Sequence, residues 1–300
     1  MRLFYTDHFE LPLPDDHRFP MSKYRLLRER VATAEWARDC ELIVPDAASD
    51  EQLALVHDRE YLHRVAAGEL SEKEVRRIGF PWSPELVERS LRSTGATIAA
   101  ARAAIGDGVS VNMAGGTHHA FRDRGEGFCV FNDAATAAAV LRQEMPEIET
   151  VLVVDCDVHQ GNGTAAIFAN EPSVTTFSMH GKRNYPLQKI KSDVDLAFDS
   201  GTTDTDYLQA LEQTLTELLT AKPDFVFYLA GADPFEGDRL GRLSLTKQGL
   251  RDRDEMVIGR CREQQIPVAI AMAGGYAEDV NDIVDIHANT IRVAVSYCPR

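Results

Sequence analysis

The segment Thr150-Val-Leu-Val-Val-Asp-Cys-Asp-Val-His-Gln-Gly-Asn-Gly-Thr164 changes character partway along its length. It begins with apolar and β-branched residues, as does a strand from the middle of a parallel sheet. Asp155, Asp157 and His159 follow on alternate positions, and two glycines flank Asn162. Burying two carboxylates and an imidazole side by side costs several kcal/mol, so we expect a bound cation to offset that cost.

Around this segment the sequence alternates between short apolar runs and longer helical patterns. The runs predict strands at Arg2–Thr6, Val109–Ala114, Thr150–Val154, Val174–Ser178, Asp224–Ala230 and Pro267–Ala273. Helices are predicted from Ser83-Pro84 to Gly106, Asp133 to Met145, Asp204 to Ala221, Thr246 to Gln264 and Glu278 to Val295. This alternation predicts an α/β fold: a mostly parallel sheet with helices on both faces, in one domain over residues 1–300.

Composition restricts the class of protein. The net charge of −15 argues against a nucleic-acid partner, and an acidic surface favours cationic substrates. The five cysteines include no CxxC pair, and we find no run long enough to span a membrane. We therefore expect a reduced, cytoplasmic protein that is not bound to membranes.

Polar segments follow five of the predicted strands. They are Gly115-Gly-Thr-His-His119, Asp155-Cys-Asp-Val-His159, Ser178-Met-His180, Gly231-Ala-Asp-Pro234 and Gly274-Gly-Tyr276. The carboxyl ends of parallel strands meet at one edge of the sheet, where α/β proteins bind their ligands. We therefore expect the five segments to converge on one crevice.

Three of these side chains have the character of metal ligands. Asp157 and His159 are two residues apart and project to the same side of an extended segment, and Asp233 follows a neighbouring strand. Such a set leaves a coordination position open, as in catalytic rather than structural metal sites. We predict one zinc ion, while iron(II), cobalt and manganese also accept these ligands.

The remaining polar residues supply acid, base and hydrogen-bond chemistry. His118 and His119 are candidate general acids and bases, because histidine titrates near neutral pH. Asp155 and Asn162 are available to orient them. Tyr276 follows a Gly-Gly step and could donate its hydroxyl to an oxyanion. Together these groups predict metal-assisted hydrolysis of an amide or ester.

The combined motifs resemble the zinc-dependent histone deacetylase family, in its bacterial branch closest to the class IV enzymes. The resemblance covers nearly the whole chain and implies an arginase/deacetylase-like α/β fold around an eight-stranded parallel sheet. The segments that carry it are Gly115-Gly-Thr-His-His-Ala120, Gly127-Phe-Cys-Val-Phe-Asn-Asp133, Asp155–Thr164, Gly231-Ala-Asp-Pro-Phe-Glu-Gly-Asp238, Gly274-Gly-Tyr276, His17-Arg-Phe-Pro-Met21 and Ile78-Gly-Phe-Pro-Trp-Ser83.

The resemblance also implies a role for each site residue. His118 and His119 would be the tandem histidines, with His119 the favoured base for the attacking water, and Asp155 would support His118. The family places either Asp or Asn behind the second histidine, and here that residue is Asn162, whose neutral amide should leave His119 less basic. Tyr276 would bind the oxyanion. The implied metal ligands are Asp157, His159 and Asp233.

Further residues correspond to the family's substrate tunnel and second cation site. The implied substrate-binding residues are Gly127, Phe128, Tyr185, Leu240, Gly274 and Gly275. A structural potassium ion would be held by Asp155, Asp157, His159, Ser178 and Met179. Arg18 would match an arginine near the inner end of the tunnel.

These features together predict a zinc-dependent deacylase that cleaves an acyl-lysine amide of a peptide or protein. The nearest alternative is an acetylpolyamine amidohydrolase, a small-amine deacylase that the charge of −15 favours. Leu240 argues against it, because polyamine-selective relatives can carry a glutamate at that place. A catalytically silent binding protein is disfavoured by the intact ligands, and an arginase-like two-metal enzyme by the lack of extra carboxylates beside His118. The natural substrate, the acyl-chain length and the oligomeric state stay open.

Overall fold

The computed structural model describes residues 1–9, 11–14 and 17–298. Within them eight strands form a single sheet in which every pairing is parallel. The strands are β1 (Arg2–Phe4), β2 (Glu41–Ile43), β3 (Val109–Asn112), β4 (Val151–Asp155), β5 (Val174–Gly181), β6 (Val194–Phe198), β7 (Phe225–Leu229) and β8 (Val268–Ala271). Their spatial order is β2-β1-β3-β8-β7-β4-β5-β6. The predicted fold class is therefore confirmed.

Ten α-helices connect these strands within the described ranges. They are α1 (Ser22–Ala32), α2 (Asp50–Leu53), α3 (Arg59–Ala67), α4 (Glu72–Ile78), α5 (Pro84–Asp107), α6 (Asp133–Glu144), α7 (Asn162–Phe168), α8 (Asp204–Thr220), α9 (Lys247–Glu263) and α10 (Val280–Ser296). A 3-10 turn spans Glu35–Ala37.

The helices cover both faces of the sheet and give it two hydrophobic cores. Alternate residues of β4 point to opposite faces: Leu152 and Val154 belong to one core, and Val151 and Val153 to the other. The first core also contains buried residues of α1, α8, α9 and α10, and the second contains those of α5 and α6. Because both faces are covered, every residue of the central strands β3, β4, β7 and β8 is buried.

One predicted helix end was wrong. Gly106 does not close the helix that begins after Ser83, because α5 continues to Asp107 and ends at Gly108. A helix commonly ends at a residue with positive φ, and Gly108 has a φ of 75°. The Ser83 cap is as predicted: its side chain accepts a hydrogen bond from the backbone N–H of Leu86, and Pro84 occupies the first helical turn.

The strand order explains where the site lies. β3, β8, β7, β4 and β5 are consecutive neighbours in the sheet. Four polar segments begin at or just after the ends of β3, β8, β7 and β4, whereas Ser178-Met-His180 lies inside β5, which continues to Gly181. All five segments therefore lie at the carboxyl end of the sheet.

Candidate metal centre and active site

Asp157, His159 and Asp233 form a buried group at the carboxyl edge of the sheet. Asp157 and His159 follow β4, and Asp233 follows the adjacent β7. Their candidate ligand atoms all lie within 4.8 Å of one another. His159 Nδ1 is 3.0 Å from an oxygen of Asp157 and 3.1 Å from an oxygen of Asp233.

The polypeptide holds both carboxylates in place and leaves room only for glycine beside them. The backbone N–H of Val158 donates to Asp233 at 2.9 Å, and that of Gly274 donates to Asp157 at 2.7 Å. A Cβ on Gly274 would lie 2.0 Å from Asp233 Oδ2 and 2.5 Å from Asp157 Oδ2. The segment after β8 thus approaches the carboxylates closely enough to exclude any side chain.

The pKa values of these residues show that burying the group without a metal is unfavourable. Burial would lower the pKa of His159, but its hydrogen bonds with Asp157 and Asp233 outweigh that effect and raise the pKa to about 10. Burial and the charge of Asp157 raise the pKa of Asp233 to about 7. A proton on His159 therefore offsets the carboxylates in the metal-free protein, and a divalent metal fits the same oxygen and nitrogen donors.

The paired histidines have different partners. His118 Nδ1 lies 2.6 Å from Asp155 Oδ2, and His119 Nδ1 lies 2.6 Å from Asn162 Oδ1. Burial lowers the pKa of His118, but the charges of Asp155 and Asp157 outweigh it and raise the pKa to about 9. Burial and the charge of His118 hold the pKa of His119 well below its usual value. In the metal-free protein at neutral pH, His118 is therefore a cation and His119 is neutral.

Tyr276 faces the group of Asp157, His159 and Asp233 from the segment after β8. Its ring centroid lies 6.3 Å from that of His159. Its backbone N–H donates to Asp238 at 2.6 Å, and Arg239 Nε donates to its carbonyl at 3.0 Å. Burial and the charges of Asp157 and Asp233 raise the pKa of the Tyr276 phenol well above its usual value, so it keeps its proton and remains a hydrogen-bond donor.

A cavity of about 190 Å³ leads from the surface to these groups. The Gly127–Phe128 segment forms one wall, with φ values of 58° and 65°. Its backbone N–H groups donate to the carbonyls of Arg77 and Ile78 at the end of α4. The residues that line the cavity are Arg77, His119, Gly127, Phe128, His159, Tyr185, Leu240 and Tyr276.

A smaller inner cavity of about 40 Å³ adjoins Asp157 and His159. Gly274 lines it, together with Phe19, Tyr24, Arg89 and Ser93. A Cβ on Gly275 would lie 2.8 Å from Ile283 and 3.1 Å from Ala232, and the substrate-binding role of Gly275 stays a prediction from the family resemblance.

The assignment of Arg18 to the inner end of the tunnel was wrong. Arg18 is exposed and lies beside Arg239 and Leu240 in a surface pocket. The buried cations near the inner cavity are Arg89, which is 7% exposed, and Lys23, which is 2% exposed. Arg18 precedes α1 and is exposed, whereas Lys23 is spaced at four-residue intervals with the core residues Leu27 and Val31 of α1 and therefore lies on the buried face of the helix.

Lys23 supports the loop that carries the tyrosine. Its ammonium donates to the carbonyl of Gly275 at 3.3 Å. It also lies 5.1 to 5.3 Å from the ring centroids of Phe19, Tyr24 and Tyr276. Because Lys23 precedes core residues of α1 by one and two turns, this spacing could have identified a buried lysine from the sequence.

Glu126 is a second residue that the motifs did not single out. Its carboxylate accepts hydrogen bonds from Tyr185 and from Asn162, so it lies between the tunnel wall and the paired histidines. A lone glutamate in a loop carries no sequence signal for such a position.

The residues of the proposed potassium site lie on two neighbouring strands and the segment after one of them. Asp155 pairs with Ser178 in the register of β4 and β5. Ser178 Oγ lies 3.0 Å from His180 Nδ1, and Met179 is buried. The potassium ligand set (Asp155, Asp157, His159, Ser178 and Met179) stays a prediction from the family resemblance.

The fold and the site together define an α/β protein with a buried Asp-His-Asp group, paired histidines and a tyrosine at one sheet edge. The chain belongs to the histone deacetylase family: the family model described as the histone deacetylase domain matches residues 17–291. None of the described helices is long and apolar enough to cross a membrane.

Similar proteins come from bacteria and plants. An uncharacterized protein of Picosynechococcus sp. is 43% identical over 97% of each chain. Histone deacetylase 2 of Arabidopsis thaliana is 31% identical over 81% of this chain and 68% of its own length. The acetoin utilization protein AcuC of Bacillus subtilis is 29% identical over 77% of this chain and 65% of its own length. The crystal structure of the HDA15 HD domain has the same fold, with a TM-score of 0.82, 23% identity, and coverage of 98% of this chain and 90% of that one.

Proposed function

We propose that the protein is a metal-dependent amidohydrolase that removes acyl groups from the lysine side chains of peptides or proteins. The observation that carries this proposal is the cavity of about 190 Å³ that ends at His119, His159 and Tyr276. A divalent ion held by Asp157, His159 and Asp233, with zinc our first choice, would polarise the acyl carbonyl and make a water molecule more acidic.

Three side chains of the protein would then carry out the reaction: one transfers the proton, and two stabilise the oxyanion. His119 is neutral and buried, so it can accept a proton from the attacking water. His118, held as a cation by Asp155, contributes positive charge beside the developing oxyanion. The hydroxyl of Tyr276 donates a hydrogen bond to that oxyanion. His119 finally returns its proton to the lysine nitrogen as the amide bond breaks.

The tunnel wall suits the methylene chain of a lysine. Phe128 and Leu240 offer apolar surface, and the ring of Tyr185 packs edge-on against His119 with centroids 4.9 Å apart. An extended alkyl chain can bury its surface there while its acyl group reaches the paired histidines. A bound acyl-lysine would displace water from the same volume and so strengthen electrostatic interactions with the oxyanion.

Charges at the mouth of the tunnel favour acyl-lysine over acetylpolyamine. Arg77 lines the tunnel, and Arg18 and Arg239 line the neighbouring surface pocket that also contains Leu240. A polyamine would bring a second ammonium group to these arginines. The side chain of Glu126 is only 12% exposed and faces Tyr185 and Asn162, so it offers that ammonium little compensation.

A comparison of kcat/KM across substrates tests this function. We expect zinc-loaded protein to turn over acetyl-, longer acyl- or trifluoroacetyl-lysine peptides, with acetylpolyamines slower by about tenfold or more, since about 1.4 kcal/mol corresponds to tenfold. His119→Ala should lower kcat on the order of 10²–10⁴-fold. His63→Ala is the matched control, because the His63 side chain is 74% exposed and remote from the site. No turnover of any acyl-lysine would refute the proposal, and faster turnover of acetylpolyamines would refute its lysine preference.

A further inference from the structure

A chain of hydrogen bonds connects the general base of the proposed reaction to the tunnel wall. His119 Nδ1 lies 2.6 Å from Asn162 Oδ1. The amide of Asn162 donates from Nδ2 to Glu126 Oε1 at 3.3 Å. The other oxygen of Glu126 accepts a hydrogen bond of 3.0 Å from the hydroxyl of Tyr185. One carboxylate thus contacts both the residue behind His119 and a residue of the tunnel.

The order of donors and acceptors along this chain determines where His119 carries its proton. An ionised carboxylate only accepts hydrogen bonds, so Glu126 requires the NH2 group of Asn162 to face it. The amide oxygen of Asn162 must then face His119, and this acceptor requires a proton on Nδ1. The lone pair of neutral His119 is left on Nε2, the nitrogen away from Asn162. That is the form a general base needs.

Without Glu126 the amide of Asn162 could bind His119 in either of two orientations. A turned amide would present its NH2 group to Nδ1, which would have to accept, and the proton would move to Nε2. His119 could then no longer accept a proton from water at Nε2. An aspartate in place of Asn162 would always require the proton on Nδ1 of His119, because both of its oxygens are acceptors.

We propose that Glu126 is a positioning residue that fixes the tautomer of His119 by fixing the orientation of the Asn162 amide. The role of His119 as the base rests on the proposed function, but the tautomer itself does not. The nearby arginine does not account for the position of the Glu126 carboxylate: Arg124 Nη2 is 4.0 Å from it and Arg124 makes a closer contact of 2.9 Å, through Nη1, with Asp123. Tyr185 holds the second oxygen, so the same carboxylate joins the tunnel wall to the base.

The first test is the tautomer of His119 in zinc-loaded protein labelled with ¹⁵N in its histidines. Long-range ¹H–¹⁵N spectra distinguish protons on Nδ1 from protons on Nε2, and His119→Ala assigns the signal. We expect wild-type His119 to carry its proton on Nδ1 and Glu126→Ala to shift a measurable fraction to Nε2. Asp123→Asn is the matched control, because it removes a nearby carboxylate that is 60% exposed and should leave the tautomer unchanged.

Rescue by a second substitution separates tautomer control from general damage. We expect Glu126→Ala to lower kcat by about tenfold or more with KM and zinc content retained, since losing a charge-assisted hydrogen bond commonly costs that factor. Adding Asn162→Asp to Glu126→Ala should restore both the Nδ1 proton and most of kcat. If Glu126→Ala does not fold, Glu126→Gln serves for the same spectra, because it removes the charge that dictates the amide orientation while keeping the shape.

The outcomes separate this inference from the proposed function. An unchanged tautomer and kcat in Glu126→Ala would overturn the inference, as would a double variant that stays as slow as the single one. If no amide is turned over but the tautomer shifts as expected, the proposed function fails and the positioning role of Glu126 stands.

Discussion

At the scale of a single residue, Tyr276 combines three features that suit an oxyanion donor. It is buried, its phenol remains protonated, and its backbone is fixed by Asp238 and Arg239. Tyr276→Phe removes only the hydroxyl. We expect the variant to retain its zinc, measured by elemental analysis, and to lose on the order of 10²–10³ in kcat, the usual effect of losing one oxyanion donor.

The control for this prediction is a second tyrosine that lies on α1. Tyr24 also lines the inner cavity, but we assign it no part in the reaction. Tyr24→Phe should therefore change kcat far less than Tyr276→Phe. A Tyr276→Phe enzyme that keeps near wild-type kcat on an acetyl-lysine peptide would contradict the assignment, and one that loses zinc would show a structural role instead.

The site residues differ in whether their positions could be predicted from the sequence. Asp157, His159 and Asp233 could be grouped in advance, because each follows a strand and parallel strands end at a common edge. The inner arginine could not be identified, since Arg18 resembles the family motif but its side chain is exposed. Glu126 gave no signal at all, because its position depends on how its loop packs beside α7.

At the scale of secondary-structure elements, α9 forms hydrogen bonds with the segments that follow β4 and β7, which carry Asp157, His159 and Asp233. Arg253 is fully buried and donates to the carbonyl of Gly231 at 2.7 Å and to that of Cys156 at 3.3 Å. Its neighbour Asp254 accepts hydrogen bonds of 2.5 Å from both Tyr228 and Thr290. This network joins α9 to β7, α10 and the segment after β4.

Asp254→Ala should destabilise the fold strongly. The substitution leaves the Arg253 cation buried without its carboxylate, and breaking a buried ion pair in this way costs about 3–5 kcal/mol. Urea unfolding followed by circular dichroism measures the free energy of unfolding. Arg251→Ala, on the same helix, removes a partly exposed ion pair with Glu255 and should cost no more than about 0.5 kcal/mol. Equal costs for the two variants would show that the buried network does not support the site.

Strands with a clear apolar run were predicted from the sequence, and strands without one were not. Six strands follow from their apolar runs, and all six are present. β2 was not predicted because it has only three residues, none of them buried. β6 lies at the opposite edge, is partly exposed throughout and lacks the continuous apolar run of a central strand. Both edge strands were expected only through the family resemblance, since their pairing depends on the neighbouring strand rather than on their own composition.

At the scale of the whole molecule, we expect Asp157, His159 and Asp233 to couple stability to metal and to pH. Without metal, His159 has a pKa of about 10 and Asp233 has one of about 7, so the folded protein binds a proton at neutral pH and more in acid. The raised pKa of His159 stabilises the metal-free fold fully below its ordinary pKa of 6.5, and this contribution is lost as the pH rises toward 10. The raised pKa of Asp233 has the same sign, and its contribution is lost as the pH rises from its ordinary pKa of 3.8 to about 7. The metal-free protein should therefore become less stable between pH 6 and pH 8.

Stabilisation of the fold by bound metal should increase with pH, because the metal must displace those protons before it binds. At a free zinc concentration of 100 times Kd, binding stabilises the fold by about 2.7 kcal/mol. For a chain of this size that corresponds to a rise in Tm of about 4 °C. We expect the difference in Tm between zinc-loaded and EDTA-treated protein to be larger at pH 8 than at pH 6, measured by scanning calorimetry at fixed total zinc. Asp233→Asn, which removes one ligand without changing its size, should abolish most of the difference at both pH values. A zinc-induced shift as large at pH 6 as at pH 8 would mean that protons and metal do not compete for Asp157, His159 and Asp233, and the assignment of the metal centre would then be wrong.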